Sequence, residues 1–363
     1  MGIPRPDWRQ YGSRIVKVVF DASFASCNSL TSTSYWFSEC YALTEITDIH
    51  NLKTDNVTSM EAMFCWCHNL KNLDLSRFKT EKVKNMNCML RGCRSLTSLD
   101  LSNFRTDNVT DMGLMFEDCS SLVSLDLSSF NTENVTYMNE MFSECTSLKS
   151  LNLKSFKTGK LTNTYKMFYG CSSMTSLDLS SFNTENVTTM REMFSGCSSL
   201  TSLDLSGFNT ENVEEMHRMF FQCESLTSLD LSSFKTDKLK RFDFMFSGCR
   251  NLKTIYAGDG WSTGWSDEPF KNCESLVGGA GTVYDKSRTG SNYARIDGGP
   301  DAPGYFTYKK SPITGIRSRR NENRNSTATY YNLSGRKLTT PQKGINIVNG
   351  KKVIIRESRI QAY

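Results

Sequence analysis

A fixed spacing of 26 residues governs most of this chain. Eight cysteines and eight methionines recur at that spacing without a gap, at Cys67, Cys93, Cys119, Cys145, Cys171, Cys197, Cys223 and Cys249 and at Met63, Met89, Met115, Met141, Met167, Met193, Met219 and Met245. A period of this size indicates a solenoid, in which each repeat packs only against its neighbours. A solenoid grows by stacking, so the 363 residues need not divide into two or three globular domains.

The residue pattern changes halfway through each repeat. In the copy that begins at Leu200, the Leu-x-x-Leu-x-Leu spacing is typical of a short strand. A polar turn follows, with Phe208 directed back to the interior. The second half places its apolar residues on one face of a helix, at Val213, Met216, Met219, Phe220 and Cys223. Asn and Thr, which favour N-caps, precede this segment, and a glycine suited to a helix end follows at Gly170, Gly196 and Gly248.

We therefore predict an α/β solenoid of the leucine-rich-repeat kind, a right-handed array of 26-residue strand–turn–helix units. A parallel sheet is expected on one face and helices on the other. Because neighbouring strands lie ~4.8 Å apart, equivalent residues should stack into interior ladders of leucine, phenylalanine, methionine and cysteine.

The repeat also defines the segments of the chain. Residues 1–42 are expected to form an N-terminal cap with a partial repeat, 43–277 the solenoid of about nine units with a degenerate last one, 278–310 a C-terminal cap, 311–327 a linker and 328–363 a small C-terminal β module. Within the last segment, Tyr330–Leu338 has the composition of a strand. Asn349-Gly350 lies between two further β-rich runs and predicts a tight hairpin.

Charge divides the chain in the same way. The net charge is +5, yet residues 311–363 hold 11 Lys/Arg and 2 Asp/Glu, so a basic tail follows a mildly acidic body. That distribution predicts two modules and no nucleic-acid-binding surface, although the tail could bind anionic lipid or polysaccharide. The mean hydropathy is −0.43 and no run of 18 apolar residues occurs, so we expect no transmembrane segment. The first residues lack the apolar region of a signal peptide.

Stacked cysteines allow two interpretations. Adjacent rungs at ~4.8 Å are within disulfide range, but an identical cysteine on every rung favours buried thiols that pack as small apolar groups. Cys65 and Cys88 lie off the ladder. With Cys67, His68 and Cys93 they could hold zinc, although the spacing is not that of a zinc ribbon or finger, and a Cys65–Cys88 bridge is the more favoured alternative.

A second ladder is expected on the outward side of the strands. Its members are Asp74, Asp100, Asp126, Asn152, Asp178, Asp204 and Asp230. Serine hydroxyls and water could satisfy these carboxylates without any function. The alternative is an acidic, concave contact surface for a basic partner, or for calcium, which prefers clustered oxygen ligands. The strand sequence is otherwise monotonous, which leaves a spacer role open, and Asn152 and Lys154 are its main break. A specific function, if the protein has one, is expected in the outward residues or in the irregular unit 148–173.

Units such as LDLSSFNTENVTTMREMFSGCSSL resemble the BspA-like, Bacteroides surface antigen type of leucine-rich repeat, also found in mycoplasma surface lipoproteins. The resemblance covers residues 15–308 and implies display at the cell surface or outside the cell, with binding to host or neighbouring-cell proteins. No family binding residue carries over. The stretch YYNLSGRKLTTPQKGINIVNGKKVIIRE resembles the C-terminal sorting domains of Bacteroidota cargo proteins, which implies recognition by a secretion system.

Enzyme signatures are missing from the sequence. His50, His68 and His217 are scattered, and no phosphate-binding loop, dinucleotide motif or zinc-protease motif occurs. Asn-x-Thr sequons recur because Asn-Val-Thr begins the second half of a repeat, so we interpret them as caps. We expect no cofactor and no catalysis. The leading hypothesis is a surface binding or adhesion protein. The alternatives are a structural spacer of the envelope without a specific ligand and, less favoured, an enzyme.

Overall fold

The computed structural model describes residues 7–262 and 264–310, and in the tail residues 330–331, 337–338, 344–348 and 351–355. Two compact units form, Met1–Thr314 and Gly315–Tyr363. The first contains the repeats. Each repeat makes one turn of a parallel β-solenoid, which we call a rung, and about nine rungs stack.

Short parallel strands form one side of the rungs. They are β1 (Lys17–Val19), β2 (Glu45–Thr47), β3 (Ser124–Asp126), β4 (Ser150–Asn152), β5 (Ser228–Leu231), β6 (Thr254–Ala257) and β7 (Phe306–Tyr308). β1 pairs with β2, β3 with β4, and β6 lies between β5 and β7. Leu125 faces Leu151 and Asp126 faces Asn152, so the register equals one repeat. Parallel single-residue bridges form another ladder, from Ser32 to Tyr137 and from Asn163 to Arg241.

The prediction of helices on the other face is wrong. Among the described residues the helical elements are four short 3₁₀ segments, Asp7–Arg14, Ala22–Ser26, Ile49–Asn51 and Ser291–Tyr293, and none of them is in the second half of a full repeat. That half, from Met60 to Cys67 and its equivalents, is a chain of tight turns, which we call the turn segment. No helix within the described residues is long and apolar enough to cross a membrane.

Hydrogen bonds between rungs explain why the turn segment is not a helix. The backbone N–H groups of Met216, Arg218 and Phe220 donate to carbonyls of the next rung, while Met219 donates to the carbonyl of Met216 within the segment. An α-helix would keep all these bonds inside the segment. Two residues with left-handed φ angles, such as Arg218 (φ 53°) and Gln222 (φ 55°), separate the turns. The predicted apolar residues are nevertheless all buried, because turns of three residues give nearly the spacing of a helix face.

A ladder of threonines joins the rungs where the backbone does not. Thr132 donates its hydroxyl hydrogen to the carbonyl of Lys157 (3.0 Å) and accepts the N–H of Lys157 (2.7 Å). Equivalent bonds involve Thr80, Thr158, Thr184, Thr210 and Thr236, and all these threonines are buried. At this bend the threonine hydroxyl replaces the backbone-to-backbone hydrogen bond that would join two strands of a sheet.

Stacked side chains fill the interior as the repeat predicts. Phenylalanine rings from Phe116 to Phe270 stack with centroids 5.7–5.9 Å apart and nearly parallel planes. The cysteines are free thiols, and those of the ladder donate to a carbonyl of the preceding rung, as Cys145 does to Phe116 (3.1 Å). The structure therefore favours the thiol interpretation over bridges between rungs.

Caps lie at both ends of the repeats. The indole N–H of Trp8 donates to the carbonyl of Trp36 (2.7 Å), which ties the N-terminal cap to the first turn segment. In the C-terminal cap, Asp297 accepts backbone N–H groups from Ala280, Thr282 and Gly299. Burial disfavours its charged form, but these bonds prevail and lower the pKa of Asp297 to about 2.

The second unit forms a four-stranded antiparallel sheet in the order β11–β10–β8–β9. The strands are β8 (Tyr330–Tyr331), β9 (Lys337–Leu338), β10 (Gly344–Val348) and β11 (Lys351–Ile355). The hairpin predicted at Asn349-Gly350 is confirmed by the pairing of Val348 with Lys351. Tyr330–Leu338, predicted as one strand, instead contributes two strands that pair with each other. The predicted linker 311–327 lies outside the described residues.

Candidate interaction surface

The predicted outward ladder is present on the strand side. Ser124 and Asp126 of β3 are exposed and Leu125 between them is buried, which is the alternation of a strand with one solvated face. Asp74, Asp100, Asp126, Asp178 and Asp204 are exposed, while Asn152 and Asp230 are partly buried. We call this ladder, with the serines two residues earlier, the strand face.

Backbone hydrogen bonds fix each carboxylate of the strand face. One oxygen of Asp126 accepts the N–H of Ser128 at 2.9 Å, and each other aspartate of the ladder bonds in the same way to the residue two positions later. The backbone bond from Ser128 lowers the pKa of Asp126. Aspartate side chains are ionised at neutral pH, so the ladder forms a row of negative charge. Serine hydroxyls contribute beside these N–H groups, since the side chains of Ser76 and Ser180 also lower the pKa of Asp74 and of Asp178.

The row of charge is interrupted at a single rung. The side-chain amide of Asn152 donates to Asp126 (3.3 Å), and its oxygen accepts the N–H of Lys154 (3.3 Å). Asp126 and Asp178 are thereby left two rungs apart, roughly 10 Å at the usual strand spacing. Lys154 helps to lower the pKa of Asp178, after the bonds from Ser180.

A shallow depression of about 480 Å³ lies over this break. It is lined by Ser124, Leu125, Asp126, Ser150, Leu151, Asn152, Leu153, Lys154 and Asp178. Its rim offers carboxylates, hydroxyls, an amide and one ammonium group, while Leu125 and Leu153 beneath it are buried. This arrangement suits a polar contact with a protein side chain.

At the other end, a cap residue closes the strand face. Lys309 forms an ion pair with Asp230 (2.5 Å), 79 residues earlier in the chain. The nitrogen of Lys309 also lies 5.2 Å from the ring centre of Tyr256. Sequence reasoning missed this pair because no local pattern connects the two residues. It removes Asp230 from the set of carboxylates that are free to meet a partner.

The described residues do not support the zinc or the calcium alternative. Among the described residues, no group of three or more His, Cys, Asp or Glu side chains could hold a metal ion. Cys65 and Cys88 are free thiols, and Cys88 donates to the side chain of Asn87 (3.0 Å). Burial raises the pKa of Cys65 to about 12, which makes it a poor nucleophile. His68 lies between the rings of Tyr41 and Trp66.

The sequon asparagines have a structural role, though not as helix caps. The side-chain amide of Asn134 donates to the carbonyl of Asp107 on the preceding rung (2.8 Å). Asn56, Asn108 and Asn186 make the equivalent bond. These bonds explain why asparagine recurs here without invoking glycosylation.

The fold and this surface define a repeat protein of the leucine-rich kind with parallel β-rungs. A family model described as "Mycoplasma protein of unknown function, DUF285" matches residues 31–150, 98–200 and 171–276, which together span more than half of the chain. The chain belongs to this family, for which no catalytic activity is indicated. Among curated proteins, no sequence matches.

Solved structures of other repeat proteins are similar to this chain. A leucine-rich repeat protein from Bacteroides ovatus is 19% identical, covers 73% of this chain and 78% of its own, and has a TM-score of 0.36. One from Eubacterium ventriosum is 16% identical over 87% of this chain and 91% of its own, with a TM-score of 0.33. A leucine-rich cell surface protein from Faecalibacterium prausnitzii is 16% identical, covers 72% of this chain and 82% of its own, and has a TM-score of 0.28.

Proposed function

We propose that this protein is a surface-displayed or secreted binding protein that captures a protein of a host or neighbouring cell through its strand face. The observation that carries the proposal is the depression at Asn152 and Lys154, since it coincides with the break in the row of aspartates. A surface that served only to space other parts would have no need of a break there.

The chemistry of the strand face sets the kind of partner. Ionised aspartates on both sides of the break favour a partner with lysine or arginine at matching spacing. Complementary charge of this type sets the association rate and the register of a complex more than its affinity. Leu125 and Leu153 face the interior, so the contact would be made by the polar side chains around the break and by the partly buried Leu151.

Restoring the regular repeat tests the proposal. Asn152→Asp with Lys154→Ser gives the irregular rung the Leu-Asp-Leu-Ser sequence of its neighbours, so the fold is expected to persist. Surface plasmon resonance of the full chain against a panel of purified host matrix proteins should identify a partner whose Kd rises at least about tenfold in this variant, a loss of ~1.4 kcal/mol. Lys157→Asn, which copies Asn183 on a different side, is the matched control.

Charge reversal gives a second readout. Asp126→Lys, Asp178→Lys and Asp204→Lys together should abolish capture while circular dichroism and the melting temperature stay close to wild type, because these side chains are exposed. Capture that survives both sets of changes would exclude the strand face as the contact.

A structural spacer without a specific ligand is the second candidate. The monotony of the strand face outside this rung favours it, since TSLDLS recurs almost unchanged. The spacer role predicts no saturable partner for the wild-type chain on any matrix protein of the panel.

A further inference from the structure

The turn segments contain a second unusual feature, at two positions with left-handed φ angles. In four rungs the second of these positions is a glycine, at Gly92, Gly170, Gly196 and Gly248. The first position is occupied in successive rungs by Tyr35, Ala62, Cys88, Leu114, Glu140, Lys166, Glu192, Arg218, Phe244 and Glu268, and by no glycine. A left-handed conformation costs a non-glycine residue roughly 1–2 kcal/mol. Side chains are thus retained at the first position against this cost.

In the rungs from Tyr165 to Phe244, these side chains build a row of cations and rings. The nitrogen of Lys166 lies 5.2 Å from the ring centre of Tyr165 and 4.8 Å from that of Tyr169. The guanidinium of Arg218 lies 5.7 Å from the ring centre of Phe221 and 5.5 Å from that of Phe244. We call this row the turn face.

The fold does not require these rings. Tyr169 and Phe221 occupy a position that is serine in the rungs between and beside them, at Ser143, Ser195 and Ser247. The rings are partly exposed and do not belong to the hydrophobic core or pack against it.

Two arginines of the turn face have unused donors. Arg191 lies 5.3 Å from the ring centre of Tyr165, and its buried Nε has no hydrogen-bond acceptor in the part of the chain that the structure describes. Arg218 is exposed, and among the described residues no carboxylate lies within 4.0 Å of it. By contrast, Lys166 is paired with Glu192 (3.7 Å).

We infer that the turn face from Tyr165 to Phe244 binds an acidic segment of a partner protein. Guanidinium groups take carboxylates in paired hydrogen bonds, and the flanking rings keep them oriented. Arginine and tyrosine are also the residue types that contribute most at protein interfaces. Three rung steps span roughly 14 Å, which about four or five extended residues would cover.

The charge of the neighbouring rungs limits the extent of the surface. Glu140 and Glu144 lie on the rung before Tyr165, and both are partly buried. They would repel an acidic segment that extended further in that direction. The inference concerns a different side of the rungs from the strand face and does not rest on the function proposed for that face.

Fluorescence anisotropy of the full chain with a labelled peptide tests the inference. The probe is a peptide of about eight residues in which Glu alternates with Ser, long enough to cover the turn face. We expect it to bind at least about tenfold more tightly than the same peptide with Gln in place of Glu, and to weaken as salt is raised.

Variants taken from the chain's own repeats identify the residues. Arg191→Asn and Arg218→Glu copy Asn139 and Glu192, which hold the same positions in other rungs, so the fold is expected to persist. Together they should weaken binding of the Glu peptide at least about tenfold. Phe221→Ser, which copies Ser195, should weaken it in the same direction. Arg105→Glu makes the same charge change as Arg218→Glu, on another side of the rungs, and should leave binding unchanged.

Several results would overturn the inference. They are equal binding of the Glu and Gln peptides, unchanged binding in the Arg191→Asn, Arg218→Glu double variant, and an equal loss in Arg105→Glu. Binding of heparin without binding of the peptide would assign the surface to a polysaccharide. Self-association that Arg218→Glu abolishes, again without peptide binding, would assign it to a second copy of the chain. The Asn152→Asp, Lys154→Ser variant should bind the peptide as the wild type does, whatever its effect on the strand face.

Discussion

Thr132→Val is the most direct test of how the rungs are held together. Valine has nearly the shape of threonine, so packing changes little, but both hydrogen bonds to the backbone of Lys157 are lost. Each buried polar group left without a partner costs ~1–3 kcal/mol. Because Lys157 is an exposed residue and water can reach part of its backbone, we expect a loss of about 2–4 kcal/mol in the free energy of unfolding.

Two matched variants separate the hydroxyl from the methyl group. Thr132→Ser keeps both hydrogen bonds and removes one buried methyl, a cost of about 1 kcal/mol. Thr136→Val removes a hydroxyl from a partly exposed site where the backbone N–H of Thr136 already bonds to Thr110, so its cost should be under about 1 kcal/mol.

Urea unfolding followed by circular dichroism measures these differences. Repeat proteins can open locally, so hydrogen exchange at the amide of Lys157 is the second readout, and it should be faster in Thr132→Val alone. The reasoning is refuted if Thr132→Val costs no more than Thr132→Ser, or no more than Thr136→Val. Either result would mean that water replaces the threonine hydroxyl without loss.

Three further outcomes follow from the structure. Phe208→Ala should cost ~3–5 kcal/mol, because this ring is 3% exposed, and a loss under about 1 kcal/mol in reversible urea melts would contradict its interior placement. Iodoacetamide at pH ~8 should alkylate the exposed Cys27 and spare Cys145, since burial raises the pKa of the Cys145 thiol to about 12; alkylation of both at one rate would disprove the closed ladder. Asp297 has a folded pKa of about 2 against 3.8 for the free group, so its stabilising contribution is present above pH ~4 and is lost as the pH falls towards ~2. Asp297→Asn should flatten that part of the stability curve in acid melts, and an unchanged curve would show that another carboxylate causes it.

Much of the interior could be predicted from the repeat. Residues that recur at one spacing must stack in a solenoid, so the burial of Phe208, Met219 and Cys223 follows without any knowledge of the backbone. The outward position of Asp126 follows from strand alternation in the same way. The threonine ladder was also available in principle, because Thr80, Thr106 and Thr132 recur at the repeat spacing, but a polar residue in a turn gives no sign that it points inward.

The conformation of the turn segment could not be predicted. An apolar spacing of three or four residues fits a helix and also fits consecutive tight turns, and the sequence does not distinguish them. The choice depends on whether the N–H of Arg218 bonds within its own segment or to Asp243 on the next rung, which only the stacked structure can offer. The two candidate surfaces differ in the same way. The break at Asn152 can be found from the sequence, whereas the row formed by Lys166 and Arg218 cannot.

The sequence by itself determined the period, the residues of the core and the row of aspartates, because those depend only on which positions repeat. The tertiary structure decided the backbone of the second half of each rung, the pairing of Lys309 with Asp230, and the side chains that meet on the turn face. The physical reason is that the backbone bonds between rungs, the Lys309–Asp230 pair and the contacts of Arg191 with Tyr165 and of Arg218 with Phe244 join residues about one repeat or more apart. At these places hydrogen bonds and charges between rungs outweigh the local preferences of the chain.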